Sequence, residues 1–205
     1  VGEVVAASPI VRELKKKYPD EMVVVSVVTA TGHRMAQRII PEADGHIFFP
    51  FDLPVITERI VDIVNPKAII LIETELWPNF LRAIKRRRIP VMMVNGRISD
   101  KSVKSYWYLY GILDDMMGSV TRFCMQSSID AEYIEHLGAE KRRIYITGNT
   151  KFDQTYTNVE PAEKRRLISE MGLDTAEGIL LAGSTHKGEE KYVLESFCKL
   201  RQDFP

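Results

Sequence analysis

Short apolar runs alternate along almost the whole chain with segments whose apolar residues recur every three or four positions. The runs are "EMVVVSVV" (21–28), "HIFF" (46–49), "KAIILI" (67–72), "PVMMV" (90–94), "RFCMQ" (122–126), "RIYIT" (143–147) and "GILLAG" (178–183). Short, β-branched or apolar, and bounded by breakers, they suit buried parallel strands. Val5, Ile10, Val11 and Leu14 mark a first helix, which Pro9 restricts to placing the proline in an early turn. Ile56, Ile60, Ile63 and Val64 mark another, ended by Asn65-Pro66. Leu76, Phe80, Leu81 and Ile84 repeat the spacing before "KRRR" (85–88). Strand–helix alternation of this kind predicts an α/β protein with a doubly wound parallel sheet and helices on both faces.

The pattern lapses once. "NTKFDQTYTNVEP" (149–161) is polar, has no sustained period and separates two strand–helix series. The expected organisation is a first domain over 1–148, a linker over 149–161, and the beginning of a second domain over 162–205. The chain opens on "VGEVVAASP" without a methionine and closes on "LRQDFP" directly after a helical pattern, which reads as a fragment.

Composition narrows the partners more than it names them. Lys plus Arg and Asp plus Glu stand at 28 each, so there is no basic excess of the kind nucleic acid binding leaves. Cys124 and Cys198 have apolar or aromatic neighbours and no metal-type spacing, and read as reduced core residues. No apolar run approaches the ~20 residues a membrane span requires, and no signal peptide is visible. His33, His46, His136 and His186 lack ligand spacing, so no zinc site is expected.

Chemistry is expected where strands end, because ligands of open parallel sheets bind outside the carboxyl ends. "VGE" (1–3) opens a helix, and "TATGH" (29–33), "ETELWPN" (73–79), "NGRIS" (95–99), "GNTK" (148–151) and "GSTHKGEE" (183–190) each follow a strand. Any one of these is an ordinary strand-to-helix loop; six together point to a cleft shared by two domains. Glu73 and Glu75 admit two readings, a charge pair favoured at a helix N-terminus or carboxylates facing a cleft. "GSTHKGEE" is a turn into a helix, usable for anions, but without the order of a Walker loop. "KRRR" is either a solvated helix end or a phosphate-binding patch.

"VGE…SPIVRELKKKYPD", "TATGH", "FPFDLP", "ETELWPN", "NGRIS", "GNTKFD" and "GSTHKGEE" occur in the order and spacing of the 3-deoxy-D-manno-octulosonic acid (Kdo) transferases. The resemblance covers essentially all 205 residues. It implies a GT-B-type glycosyltransferase built of two Rossmann-like halves, the first on the acceptor side and the second, truncated here, binding the CMP-sugar donor. It implies inverting transfer of Kdo from CMP-Kdo to a lipid A precursor at the cytoplasmic face of the bacterial inner membrane. Membrane attachment would come through a segment absent from this chain. By the same resemblance Glu3 is the general base, and Glu73 and Lys151 stabilise the transition state. Glu75 is a weaker candidate for orienting the site, and Ser184, Thr185 and Glu189 are candidates for donor contact. No metal is expected, since the donor leaves as a monophosphate. From the residues alone two other readings stay open: another GT-B-like nucleotide-sugar enzyme, such as an epimerase or hexosamine transferase, and a non-enzymatic Rossmann-like binding module.

Overall fold

The computed structural model describes residues 2–98, 110–153, 160–174 and 179–203. They form two compact units, Val1–Thr155 and Tyr156–Pro205. In the first unit the order is α1 (Gly2–Lys17), β1 (Val24–Val27), α2 (Ala30–Ile39), β2 (Gly45–Phe48), α3 (Pro54–Val64) and β3 (Ile69–Ile72). It continues with α4 (Pro78–Arg86), β4 (Val91–Gly96), α5 (Tyr110–Ser119), β5 (Arg122–Met125), α6 (Ser128–His136) and β6 (Ile144–Ile146). Six strands thus fall inside or at the edge of the apolar runs.

All described pairings are parallel. β1 pairs with β2, and β3, β4, β5 and β6 pair in that order as a second set. Consecutive strand residues point to opposite faces, and β3 uses both. Leu71 joins a core with Val61 of α3, Phe80, Leu81 and Ile84 of α4, Met117 of α5, Ile134 of α6, and Met93 and Phe123. Its neighbour Ile72 packs instead with Val4, Ala7 and Val11 of α1, Ala36 of α2, and Val25 and Val27 of β1. Helices therefore cover both faces, as double winding requires, and the change of face falls beside β3. Phe123, Leu81, Ile84, Met93 and Met125 are fully buried, each contributing roughly 1.5–3 kcal/mol by removal from water.

Pro9 does not sit in an early turn. α1 runs seven residues ahead of it, from Gly2. An interior proline costs about 3 kcal/mol, and burying Val4, Ala7 and Val11 against α2 and β1 offsets that. α3 ends as its sequence indicates, on Asn65 in the left-handed conformation (φ 43°).

Asn149–Asp153 is not bare linker. Thr150–Asp153 form a 3-10 turn, and the Thr150 hydroxyl donates to the Ala6 carbonyl of α1 at 3.0 Å. The second unit carries α7 (Pro161–Glu170) and α8 (Glu189–Asp203). The strand expected over 178–183 is not formed at 179–183. Leu181 is 88% exposed, and a strand has no stability without a paired neighbour. Cys198, expected in a core, is exposed on α8, whereas Cys124 is partly buried in β5.

Candidate active site

β3 delivers Glu73 to the carboxyl rim of the sheet. The Glu73 N–H donates to the Val94 carbonyl at 2.9 Å, extending the ladder by one bond before the chain turns. The turn is left-handed at Glu73 (φ 60°), and Asn95, at the end of the adjacent strand, is left-handed too (φ 55°). Such conformations cost on the order of 1–3 kcal/mol for residues other than glycine and gather at functional sites. Asn is the residue that tolerates them best after glycine; Glu is not.

Lys151 meets that carboxylate. Its Nζ donates to Glu73 Oε1 at 2.8 Å, with the two side chains 35% and 22% exposed. Two residues 78 positions apart thus form a half-buried ion pair at the end of β3, screened less than a surface pair. The first turn of α1 closes on the same ammonium: a Cβ placed on Gly2 would lie 3.3 Å from Lys151 Nζ. Glu3 follows on that turn. Hydrogen bonding from its own backbone N–H, with the chain's terminal ammonium next in size, holds its carboxyl below the usual glutamate range; burial opposes this, and the charge of Lys151 is the smallest pull. A carboxylate so held is ionised at neutral pH and able to accept a proton.

Of the residues expected from sequence, then, Glu73 and Lys151 are in contact and Glu3 stands in the field of Lys151. Glu75 is engaged elsewhere. It accepts a hydrogen bond from the Trp77 indole at 3.1 Å, and Trp77 packs on Phe49 (5.4 Å between ring centres), which meets Phe80 edge-on at 5.1 Å. The rest of "ETELWPN" is scaffold. Pro78 opens α4, whose N-cap, Trp77, supplies no side-chain acceptor. Asp52 of "FPFDLP" supplies one from a distance, accepting from the Asn79 and Phe80 backbone N–H groups at 3.0 and 2.8 Å. "TATGH" is also largely structural: Thr29 caps α2 by accepting from the Gly32 N–H at 3.0 Å, and His33 stacks on Phe48 at 4.4 Å.

"KRRR" is tied down by acidic partners. Lys85 pairs with Asp115 of α5 at 2.6 Å, Arg86 with Glu58 of α3 at 2.7 Å, and Arg87 with both Glu58 and Asp62. Three of the four cations thus bridge helices; Arg86 and Lys85 stay 66% and 46% exposed, as a solvated helix end would, while Arg87 is more enclosed at 25%. In the second unit Ser184 is left-handed (φ 60°). Glu189 accepts from the His186 N–H at 2.8 Å, and Thr185 bonds the Glu190 carboxyl. "GSTHKGEE" is therefore a turn that satisfies itself at the start of α8. A concavity of about 480 Å³ between Arg122, Arg142 and Arg143 lies at the amino ends of β5 and β6, the end of a parallel sheet that ligands do not ordinarily use.

The sequence reading named the rim stretches "NGRIS" and "GNTK" but gave no role to the amides of the rim. Asn95, Gln126 and Asn149 each follow or end a strand, β4, β5 and β6 in turn. What ties the three together in the sequence is that recurrence, a carboxamide at the carboxyl end of three successive strands.

Comparison with known proteins identifies the family and the fold. A family model described as 3-deoxy-D-manno-octulosonic-acid transferase (kdotransferase) matches residues 1–154. The chain is 33% identical over 205 residues to a 3-deoxy-D-manno-octulosonic acid transferase of Haemophilus influenzae, covering 100% of this chain and 48% of that protein. It is 32% identical over 206 residues to a bifunctional glycosyltransferase/methyltransferase of Fusobacterium nucleatum, covering 98% of this chain and 31% of the relative. The chain thus spans about half, or less, of the length of these curated relatives. Among solved structures, the UDP-GlcNAc 2-epimerase of Neisseria meningitidis superposes with a TM-score of 0.57 at 13% identity, over 83% of this chain and 51% of that one. That likeness speaks for the fold, a Rossmann-like α/β architecture of the GT-B type. With its family motifs spread over the carboxyl rim of such a sheet, the chain belongs to the Kdo transferase family.

Proposed function

We propose that the full-length protein is an inverting glycosyltransferase that moves Kdo from CMP-Kdo to a lipid A precursor during lipopolysaccharide synthesis. It would work at the cytoplasmic face of the inner membrane and without a metal ion. The observation that carries the reading is the Glu73–Lys151 pair at 2.8 Å, set at the strand ends beside the turn that bears Glu3.

In this scheme an acceptor hydroxyl oxygen forms the new bond to the anomeric carbon of Kdo. The bond from that carbon to the CMP phosphate oxygen breaks on the opposite face, and its electron pair leaves with CMP. Glu3 takes the hydroxyl proton, the ordinary task of a general base. Lys151, held by Glu73, places a fixed positive charge where negative charge grows on the leaving group. Glu73 offers a carboxylate to the positive charge of the oxocarbenium-like centre. A preorganised pair does this without reorienting at the moment of reaction. Ser184, Thr185 and Glu189 are proposed donor contacts of the second half.

The test uses the full-length protein with CMP-Kdo and, in parallel, with UDP-GlcNAc. Transfer from CMP-Kdo to a lipid A precursor, with kcat falling about 100-fold or more in Glu3→Gln at little-changed donor KM, supports the reading. Conversion of UDP-GlcNAc in its place would make the protein a nucleotide-sugar enzyme of another class. Full activity in both Glu3→Gln and Glu73→Gln would leave the carboxylates as bystanders.

A further inference from the structure

We propose that Asn95 is a positioning residue, the keystone of a ring of three carboxamides that fixes the Glu73–Lys151 pair. Asn95 is fully buried and bonded on three sides. Its Nδ2 donates to Glu73 Oε1 at 3.4 Å, its Oδ1 accepts from the Thr150 N–H at 3.1 Å, and its backbone carbonyl accepts from Gln126 Nε2 at 3.0 Å. Gln126 Oε1 in turn accepts from Asn149 Nδ2 at 3.2 Å, and Asn149 Oδ1 accepts from the Lys151 N–H at 2.9 Å. The Lys151 ammonium returns to Glu73 Oε1 and closes the ring.

The orientation of every amide in this ring is forced. The Thr150 and Lys151 backbone groups can only donate, so the carbonyl ends of Asn95 and Asn149 must face them. The NH₂ ends then face Glu73 and Gln126, and Gln126 has its own NH₂ left for the Asn95 carbonyl. Each of the six contacts joins a donor to an acceptor, and a connected buried polar network rigidifies a site.

The backbone is arranged to permit it. β4 breaks register with β5 between Met93 and Gly96, and a Cβ on Gly96 would lie 2.6 Å from Met125 Sδ. Glycine thus lets β4 and β5 approach where the irregularity falls, next to Asn95 in its left-handed conformation. Only Asn, Asp and Gly take that conformation readily, and of these only Asn donates to one neighbour while accepting from another. Glu73 Oε1 therefore receives two donors, one from each end of the ring, and its position is set by β4 and β6 together.

The kinetic arm of the test rests on the transferase reading; a second arm does not. In the full-length enzyme, Asn95→Gly keeps the left-handed backbone and removes the amide. Its kcat should fall about 10- to 100-fold, the range for small misplacement of reacting groups, with donor KM little changed. Asn95→Asp keeps size, backbone and the acceptor for Thr150 but turns a second carboxylate on Glu73, so it should lose more than Asn95→Gly. A role in folding alone predicts the opposite order, with the conservative Asp nearly silent in the folded protein, and that order would overturn the proposal. The second arm measures acylation of Lys151 by an amine-reactive ester, read by mass spectrometry on folded protein. The rate should rise several-fold in Asn95→Gly as the pair loosens; an unchanged rate overturns the proposal whatever the kinetics. If the wild-type protein moves no Kdo, the reaction is misassigned, and the acylation rate alone decides the role of Asn95. Should the Asn95 variants not fold, Gln126→Met cuts the ring one link away and is read by the same acylation measurement.

Discussion

Asp52→Ala gives a measurement of how the loop after β2 holds the site loop in place. Asp52 oxygens accept from the Asn79 N–H at 3.0 Å, the Phe80 N–H at 2.8 Å and Asn79 Nδ2 at 3.3 Å. α4 begins at Pro78 and has no side-chain cap of its own, so the truncation leaves two backbone donors with only the water that can reach them. Loss of an N-cap costs about 1 kcal/mol and up to ~2, and hydrogen bonds to a charged acceptor lie at the upper end of the range. We expect about 2 kcal/mol for the first unit. In a unit the size of Val1–Thr155 that corresponds to a fall in Tm of roughly 4–8 °C. Asp52→Asn keeps one acceptor and should recover about half of the loss. Far-UV circular dichroism on heating, paired with urea titration, checks this; the midpoint should drop with the slope unchanged. An Asp52→Ala melt within about 1 °C of wild type would refute the claim that a distant aspartate organises "ETELWPN".

The Glu3 carboxyl is held low, chiefly by its own backbone N–H, and a base must be ionised. With Glu3 as the base, kcat in the full-length enzyme should fall as pH drops, and an acid limb that persists unchanged in Glu3→Gln would contradict the assignment. Arg87, through its hydrogen bond, lowers the Glu58 carboxyl. The pair's stabilisation is thus present above the unfolded carboxylate pKa and lost as pH falls through the depressed folded one, so Arg87→Ala should reduce Tm at neutral pH and converge with wild type in acid. Gly96→Ala drives a methyl into Met125 and Met93, both fully buried, and should cost about 1–3 kcal/mol in chemical denaturation. On the proposed CMP-Kdo donor the leaving group carries a single phosphate, so transfer should survive a chelator, and its loss with rescue by a divalent cation would show that a metal takes part.

The six strands of the first unit were legible because strands of a parallel sheet are apolar on both faces, which shows as short apolar runs, although β1, β2 and β6 are more exposed than the buried strands those runs suggested. The run at 178–183 has the same composition and is not a strand at 179–183. Pairing, which composition does not encode, decides that. Pro9 misled for a related reason, since the packing that offsets its cost comes from β1 and α2. Glu73 and Lys151 could be picked out through their motifs, but their contact could not: it joins residues 78 positions apart. Glu75, two positions from Glu73 and of the same chemistry, answers to an indole. The charged "KRRR" looked available because its partners Glu58, Asp62 and Asp115 lie on other helices. Asn95 was hardest to see, because its importance lies in a left-handed backbone angle and in three partners scattered along the chain.

The bond from Thr150 to Ala6 spans 144 positions, and it dates the birth of the site during synthesis. Glu3 and Glu73 leave the ribosome long before Lys151. At roughly 5–20 residues per second, the carboxylate of Glu73 waits several seconds for its cation. Contacts of such sequence separation form late, after the loop between them has closed. Until then α1 has no tether to the end of β6, and Asn95 has no Thr150 N–H to receive. The last turn of the first unit thus completes both the tether of α1 and the charge pair. A chain released before residue 151 would hold its glutamates without the lysine and so without the charge pair at the end of β3.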